Sequence, residues 1–101
     1  MYKIIVLYPK PDDPEHFRHY YRETHLPLAS HLPGLKASRY SFDIQTAGGG
    51  PYFCIWEGEF EDEAAAGAAM QSDAGRRVAE DVANYATGGH MILQVPMEQF
   101  A

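Results

Sequence analysis

The residues with the widest chemical reach lie in one segment, YYRETHLPLASHLPGL, from Tyr20 to Leu35. His25 is the side-chain type that exchanges a proton near neutral pH without being perturbed. Tyr21, one helical turn earlier, can place a phenol beside it. Pro27 follows inside the same helical pattern, where its missing N–H breaks the hydrogen-bond ladder. Together they point to acid–base chemistry. An imidazole with a pKa near 6.5 can take or give a proton, a role that speeds reactions roughly 10²- to 10⁴-fold.

The helical pattern sets where that imidazole sits. Phe17, Tyr20, Tyr21, Thr24 and Leu28 fall on one side at helical spacing. With Phe17, Tyr21, Thr24 and Leu28 as the centre of that side, an α-helix places His25 about 80° away, at the boundary between core and solvent. Pro27 deprives the Glu23 carbonyl of its partner, so the axis should bend there and lift from whatever lies beneath. A cavity beside the bend would face a free ring nitrogen of His25. Tyr21, Tyr40, Trp56, Tyr85 and His90 are the candidates for its substrate-binding wall. With 13% aromatic residues in the chain, that wall suits a flat or hydrophobic ligand.

Other chemistries fit the residues poorly. His16, His19 and Glu23 share an outer helix face, but three solvated side chains without Cys or a second carboxylate make a poor metal site, and no metal is expected. No G-x-G-x-x-G opens a helix after a strand, and no Lys-Ser/Thr follows GGGP at 48–51, so nucleotide-cofactor binding is excluded and no cofactor is expected. Cys54, the single cysteine, sits in an apolar strand as a small core residue.

These groups need a scaffold. Tyr2 to Tyr8 is β-rich and apolar on both sides, and PKPDDP closes it, with Asp13 as N-cap and Pro14 at the first helical position. Pro33-Gly34 ends the helix. Leu35 to Gln45 alternates as a strand, with Tyr40, Phe42 and Ile44 on one face. TAGGGP turns the chain into PYFCIWEGEF, where Tyr52, Cys54 and Trp56 oppose Phe53 and Ile55. Helical character runs from Asp62 to Met70 and, behind an N-cap at Ser72, through Val78, Val82 and Tyr85. Gly88-Gly89 stops it, and His90 to Met97 forms the last strand.

The order is βαββαβ, a ferredoxin-like α+β fold with a four-stranded antiparallel sheet and helices on one face. Helices on one face leave apolar strands uncovered on the other. Leaving that face wet would forfeit many kcal/mol at about 25 cal/mol per Å2. A homodimer packed sheet to sheet is therefore expected.

Composition sets the outer bounds. A chain of 101 residues is expected to form a single domain over 1–101, burying roughly two-thirds of its unfolded surface. Its net charge of −6 argues against nucleic acid and anionic membranes as partners. Neither a signal-peptide core nor an apolar run of about 18 residues is evident, so a cytoplasmic protein is expected.

The segments FRHYYRETHLPLASHLPGL, PYFCIWEGEF and SDAGRRVAEDVANYATGG together resemble the EthD family, named for a protein associated with bacterial ethyl tert-butyl ether degradation. The most specific parts are the T-H-x-P-L run followed by P-G-L, and N-Y-A-T-G-G before the last strand. The resemblance implies a dimeric α+β barrel. It also implies kinship with small cofactor-free monooxygenases, muconolactone isomerases and polyketide dehydratases, but no one reaction. A reductase label carried by some members finds no support in this sequence. Three readings follow. His25 acts as general acid/base on a hydrophobic small molecule, in cofactor-independent acid/base or oxidative chemistry of a catabolic or secondary-metabolite pathway. Alternatively, the pocket only binds such a metabolite or assists an oxidising partner enzyme. Last, the dimer is a filled scaffold. A closed barrel with no space beside His25 favours the third, whereas a pocket of several hundred Å3 favours the first two.

Overall fold

A computed structural model describes all 101 residues. The strands are β1 (Tyr2–Pro9), β2 (Ala37–Phe42), β3 (Tyr52–Phe60) and β4 (Met91–Pro96), and every pairing is antiparallel. Their order across the sheet is β2-β3-β1-β4. The first crossover contains α1 (Pro14–Tyr20), a π-helical turn (Tyr21–His25) and α2 (Leu26–Ala29). The second contains α3 (Glu63–Gln71), α4 (Asp73–Asp81) and a 3-10 turn (Val82–Asn84). This is the expected ferredoxin-like α+β arrangement.

The caps read at Asp13 and Ser72 are used as expected, and Asp62 supplies a third. Asp13 caps α1 by accepting from the His16 N–H at 3.1 Å, with Pro14 in the first turn. Asp62 caps α3 through Ala65, and Ser72 caps α4 through Gly75. Each satisfies an N–H that the helix itself leaves open.

Register divides the sheet into two unlike faces. Tyr2, Ile4, Val6 and Tyr8 of β1 pair with Phe60, Gly58, Trp56 and Cys54 of β3 on the helix side. The core there is aromatic: Tyr8, Phe17, Tyr21, Phe60 and Tyr85 are fully buried. Phe17 meets Tyr8, Phe42, Phe53 and Tyr85 edge-on, with ring centres 5.0–6.1 Å apart. The opposite face carries Ile5, Leu7, Ile55, Met91 and Leu93 beside ion pairs from Glu57 to Lys3 and Arg39. No second layer covers it, and the molecule is 17 Å thick against 35 × 34 Å.

One detail differs from simple alternation. The register slips between Tyr8 and Pro9, which pair with Cys54 and Tyr52 respectively. Phe53 is the extra residue of a β-bulge, and it turns inward beside Cys54, onto Phe17 and Phe42. Period-2 reading had set it opposite Cys54. A bulge breaks that period by placing two successive residues against one.

Candidate functional site

The fault in the first crossover begins before Pro27. The Leu26 N–H bonds to the Tyr21 carbonyl, five residues back, and this wider turn absorbs one extra residue. Everything after it rotates accordingly. His25 takes the position that α-periodicity gave to Thr24. The buried stripe runs Phe17, Tyr21, His25, Ala29, and Thr24 is exposed. His25 is thus buried, at 3% exposure, instead of lying on the boundary. Pro27 comes next, in α2, and supplies no N–H to a helical path that runs on through His25.

The His25 ring stacks on Tyr21 with centres 5.3 Å apart and touches Tyr85 at 4.6 Å. Its Nδ1 lies 2.9 Å from Asp81 Oδ2 at the end of α4. Asp81 in turn accepts from the Tyr20 hydroxyl at 2.6 Å and the Asn84 amide at 3.0 Å, both at Oδ1. Burial alone would raise the Asp81 carboxyl. The bonds from Tyr20, Asn84 and His25 outweigh it and hold the group below its ordinary range. For His25 the balance goes the other way, because burial lowers its pKa more than Asp81 raises it. The pair is therefore a neutral imidazole beside a carboxylate. Since the carboxylate can only accept, the ring proton belongs on Nδ1, and Nε2 keeps its lone pair with no partner in the chain.

His25 borders a largely enclosed cavity of about 90 Å3 between the helices and the sheet. Twelve of its fourteen lining residues are apolar or aromatic, among them Ile4, Val6, Leu32, Trp56, Val78 and Val82, which makes it a site for uncharged matter. Ala79, His90 and Ile92 line it while remaining exposed, and so mark its mouth at the β4 edge. The Trp56 indole occupies the space beside Gly58, where an added Cβ would fall 2.3 Å from it. The glycine makes room for that wall. The volume is below the several hundred Å3 associated with a spacious pocket, yet space beside His25 exists.

The structure thus brings Tyr21, His25, Trp56 and His90 to one cavity. Tyr40 stands outside it, 41% exposed on β2, with its hydroxyl 3.4 Å from Arg22 Nε. Tyr85 lies behind His25, its hydroxyl bonded to that of Tyr8 at 2.8 Å. Tyr21 Oη is the one buried side-chain polar atom without a partner. Burial pushes the Tyr8 phenol up to about 12, and raises those of Tyr21 and Tyr85 strongly. It pushes the Cys54 thiol up to about 12, which suits an inert core residue. No three His, Cys, Asp or Glu side chains converge as metal ligands would. No helix is long and apolar enough to cross a membrane.

Asp81 is the functional residue that sequence reasoning missed. Its signal was present: it falls three residues after Val78 and four before Tyr85, on the apolar stripe of its helix. An acid on a buried stripe calls for a partner, and His25 across the helix pair supplies it.

Comparison with known proteins agrees with this architecture. The EthD domain model matches residues 10–89. An uncharacterized 11.0 kDa protein from the thcB-thcC intergenic region of Rhodococcus erythropolis is 34% identical over 94 residues, covering 92% of this chain and 91% of that protein. An ethyl tert-butyl ether degradation family protein from Bacillus halodurans superposes with a TM-score of 0.89 at 25% identity, covering 97% and 99% of the two chains. A dimeric ferredoxin-like protein of unknown function from Thermobifida fusca shares the fold, with a TM-score of 0.73 at 15% identity over 95% and 90%. On the family match and the Rhodococcus relative, the chain belongs to the EthD family.

Proposed function

We propose that the protein forms a homodimer through its open sheet face and uses the cavity beside His25 for cofactor-independent acid–base chemistry on a hydrophobic small molecule. The observation that carries this reading is the His25–Asp81 pair at the wall of an apolar cavity, with Nε2 unpartnered. A neutral imidazole held by a carboxylate is a base at neutral pH, and its protonated form is the acid that returns the proton. The dimer rests on the aliphatic cluster Ile5, Leu7, Ile55, Met91 and Leu93 and on the dimeric state of the Thermobifida protein. Tyr21, Trp56 and His90 act as substrate-binding residues.

His25→Ala tests it. Against a panel of aromatic and quinonoid compounds, the variant should lose turnover about 10²- to 10⁴-fold while binding weakens less. Unchanged turnover and unchanged binding would remove His25 from its role. Burial of the open face is tested by Ile5→Lys, which should give a monomer in sedimentation and lower stability by about 1.5–3 kcal/mol.

A second reading, a carrier or accessory protein, draws on a different observation. The other titratable groups enclosed by the cavity, Tyr8 and Tyr21, are phenols pushed far above neutrality. A site with one base and no separate acid suits holding a ligand as well as transforming it. Turnover by the purified protein alone decides between them.

A further inference from the structure

The closed cavity beside His25 is small for a substrate site. Benzene fills an apolar cavity of about 150 Å3, so one of about 90 Å3 holds roughly three or four carbon atoms. A larger space adjoins it. An open groove of about 520 Å3 runs between α3 and the β1–β4 side of the sheet, and Ile4 and Met70 line both spaces.

Register sets the two end to end. Val6 and Ile92, paired across β1 and β4, floor the cavity, and Ile4 and Gln94, the next pair on the same face, floor the groove. Successive pairs on one face lie about 6.6 Å apart. The roof changes in step, from Val78 and Val82 of α4 over the cavity to Ala66 and Gly67 of α3 over the groove. Met70 stands where the roofs meet, in the last turn of α3 just before the corner at Ser72. Of the two shared residues, Ile4 is buried, β-branched and fixed in the sheet. Met70 is half-buried, and its unbranched side chain adapts readily.

We propose that Met70 is a movable partition, and that the two spaces together take one elongated, uncharged molecule, with its apolar end in the cavity and its polar end in the groove. This rests on the reading of the cavity as a ligand site and names the shape and class of its ligand. The groove's own residues select the polar end. The Tyr2 hydroxyl donates to Gln94 Oε1 at 3.3 Å, which leaves the Gln94 NH2 to donate to a ligand oxygen. No Lys, Arg or His lines the groove, and Glu63 there disfavours an anion. An alcohol or ketone therefore fits where a fatty acid does not. Small residues keep the groove open, and a Cβ at Gly67 would meet nothing within 4 Å.

Straight-chain alcohols from butanol to decanol test this, read by the fluorescence of Trp56, the single tryptophan and a cavity wall. Butanol fits the cavity alone. Beyond it, each added methylene should tighten binding roughly threefold, the gain from burying a CH2. Gly67→Leu fills the groove from an exposed position in α3, where leucine is the better helix former. The variant should bind butanol as before and hold decanol near butanol's affinity. Decanoate should bind the wild type about tenfold more weakly than decanol, because its charge leaves water unpaired. With 13C at the methionine methyl groups, the Met70 signal should shift further with decanol than with butanol. Equal shifts, or full dependence on chain length in Gly67→Leu, overturn the partition while leaving the cavity a ligand site. Decanoate binding as tightly as decanol overturns the uncharged class. Absence of saturable binding by every alcohol overturns both the partition and the ligand site.

Discussion

The two crossovers of this fold are each interrupted midway, and they are interrupted in opposite ways. In the first, the π-helical turn from Tyr21 to His25 keeps helical dihedrals throughout, with His25 itself at φ −72 and ψ −49. The chain runs on, and only the rotation of later side chains changes. In the second, Ser72 is extended at φ −71 and ψ 168, and the chain turns a corner. Its hydroxyl donates to the Ala69 carbonyl at 2.6 Å and accepts from the Gly75 N–H at 3.1 Å. One interruption re-aims a side chain. The other redirects an axis. The two crossovers meet where His25 of the first bonds to Asp81 of the second, so the site depends on both.

That comparison can be broken at the joint. Asp81→Ala leaves the His25 N–H, the Tyr20 hydroxyl and the Asn84 amide without their common acceptor. The expected loss is about 2–4 kcal/mol in urea unfolding, because a hydrogen bond to a charged group is broken and a buried donor is orphaned. Asp81→Asn, which keeps the shape, should recover part of the stability but less of the fixed His25 tautomer seen by 15N shifts. A loss below about 0.5 kcal/mol for Asp81→Ala would show the crossovers to be held by apolar packing alone.

The corner is the next target. A Cβ at Gly75 would fall 2.4 Å from the carbonyl oxygens of Ala69 and Met70, both backbone atoms that cannot yield cheaply. Gly75→Ala should cost about 1–3 kcal/mol, as overpacking does. It should move the His25 resonances less than Asp81→Ala does, because of residues 69–75 at the corner only Met70 lines the cavity. An equal movement would mean that the two interruptions are mechanically one unit.

Acid should separate the two partners of the joint most gently. His25 has its folded pKa lowered, chiefly by burial, so the unfolded chain binds its proton first. Its contribution is present above the ordinary histidine value of about 6.5 and fades as pH falls through the lowered folded value. Asp81 is also lowered, so a second loss follows below the ordinary carboxylate range. Stability measured from pH 7.5 downward should fall in these two stages, and His25→Gln should erase the upper one. A flat profile through the upper window in the wild type would contradict the buried, neutral imidazole.

Much of this was readable in advance. The order of elements followed from period, caps and glycine pairs, because Asp13 and Ser72 act through neighbours three residues away. His25 was identified from its place near Pro27, but its direction was misread. A hydrophobic period of 3.6 assumes an α-helix, and a π turn of five residues leaves no mark in that count except retrospectively, as a stripe at every fourth residue. Phe53 was misplaced for a related reason, since a bulge violates a period of two. Asp81 stood on the apolar stripe of α4, but a single helix does not say what it will face.

The sequence by itself settled what each segment would become and which side of it would be greasy, since caps, turns and alternation act over a few residues. It also settled that a proton-carrying ring would lie in the first crossover. Tertiary structure alone decided that this ring is buried, that its Nδ1 meets Asp81 from 56 residues away, and that the residue lines an enclosed space. Those outcomes depend on one extra residue in one turn and on how two helices lie side by side, and neither is encoded within the reach of local periodicity.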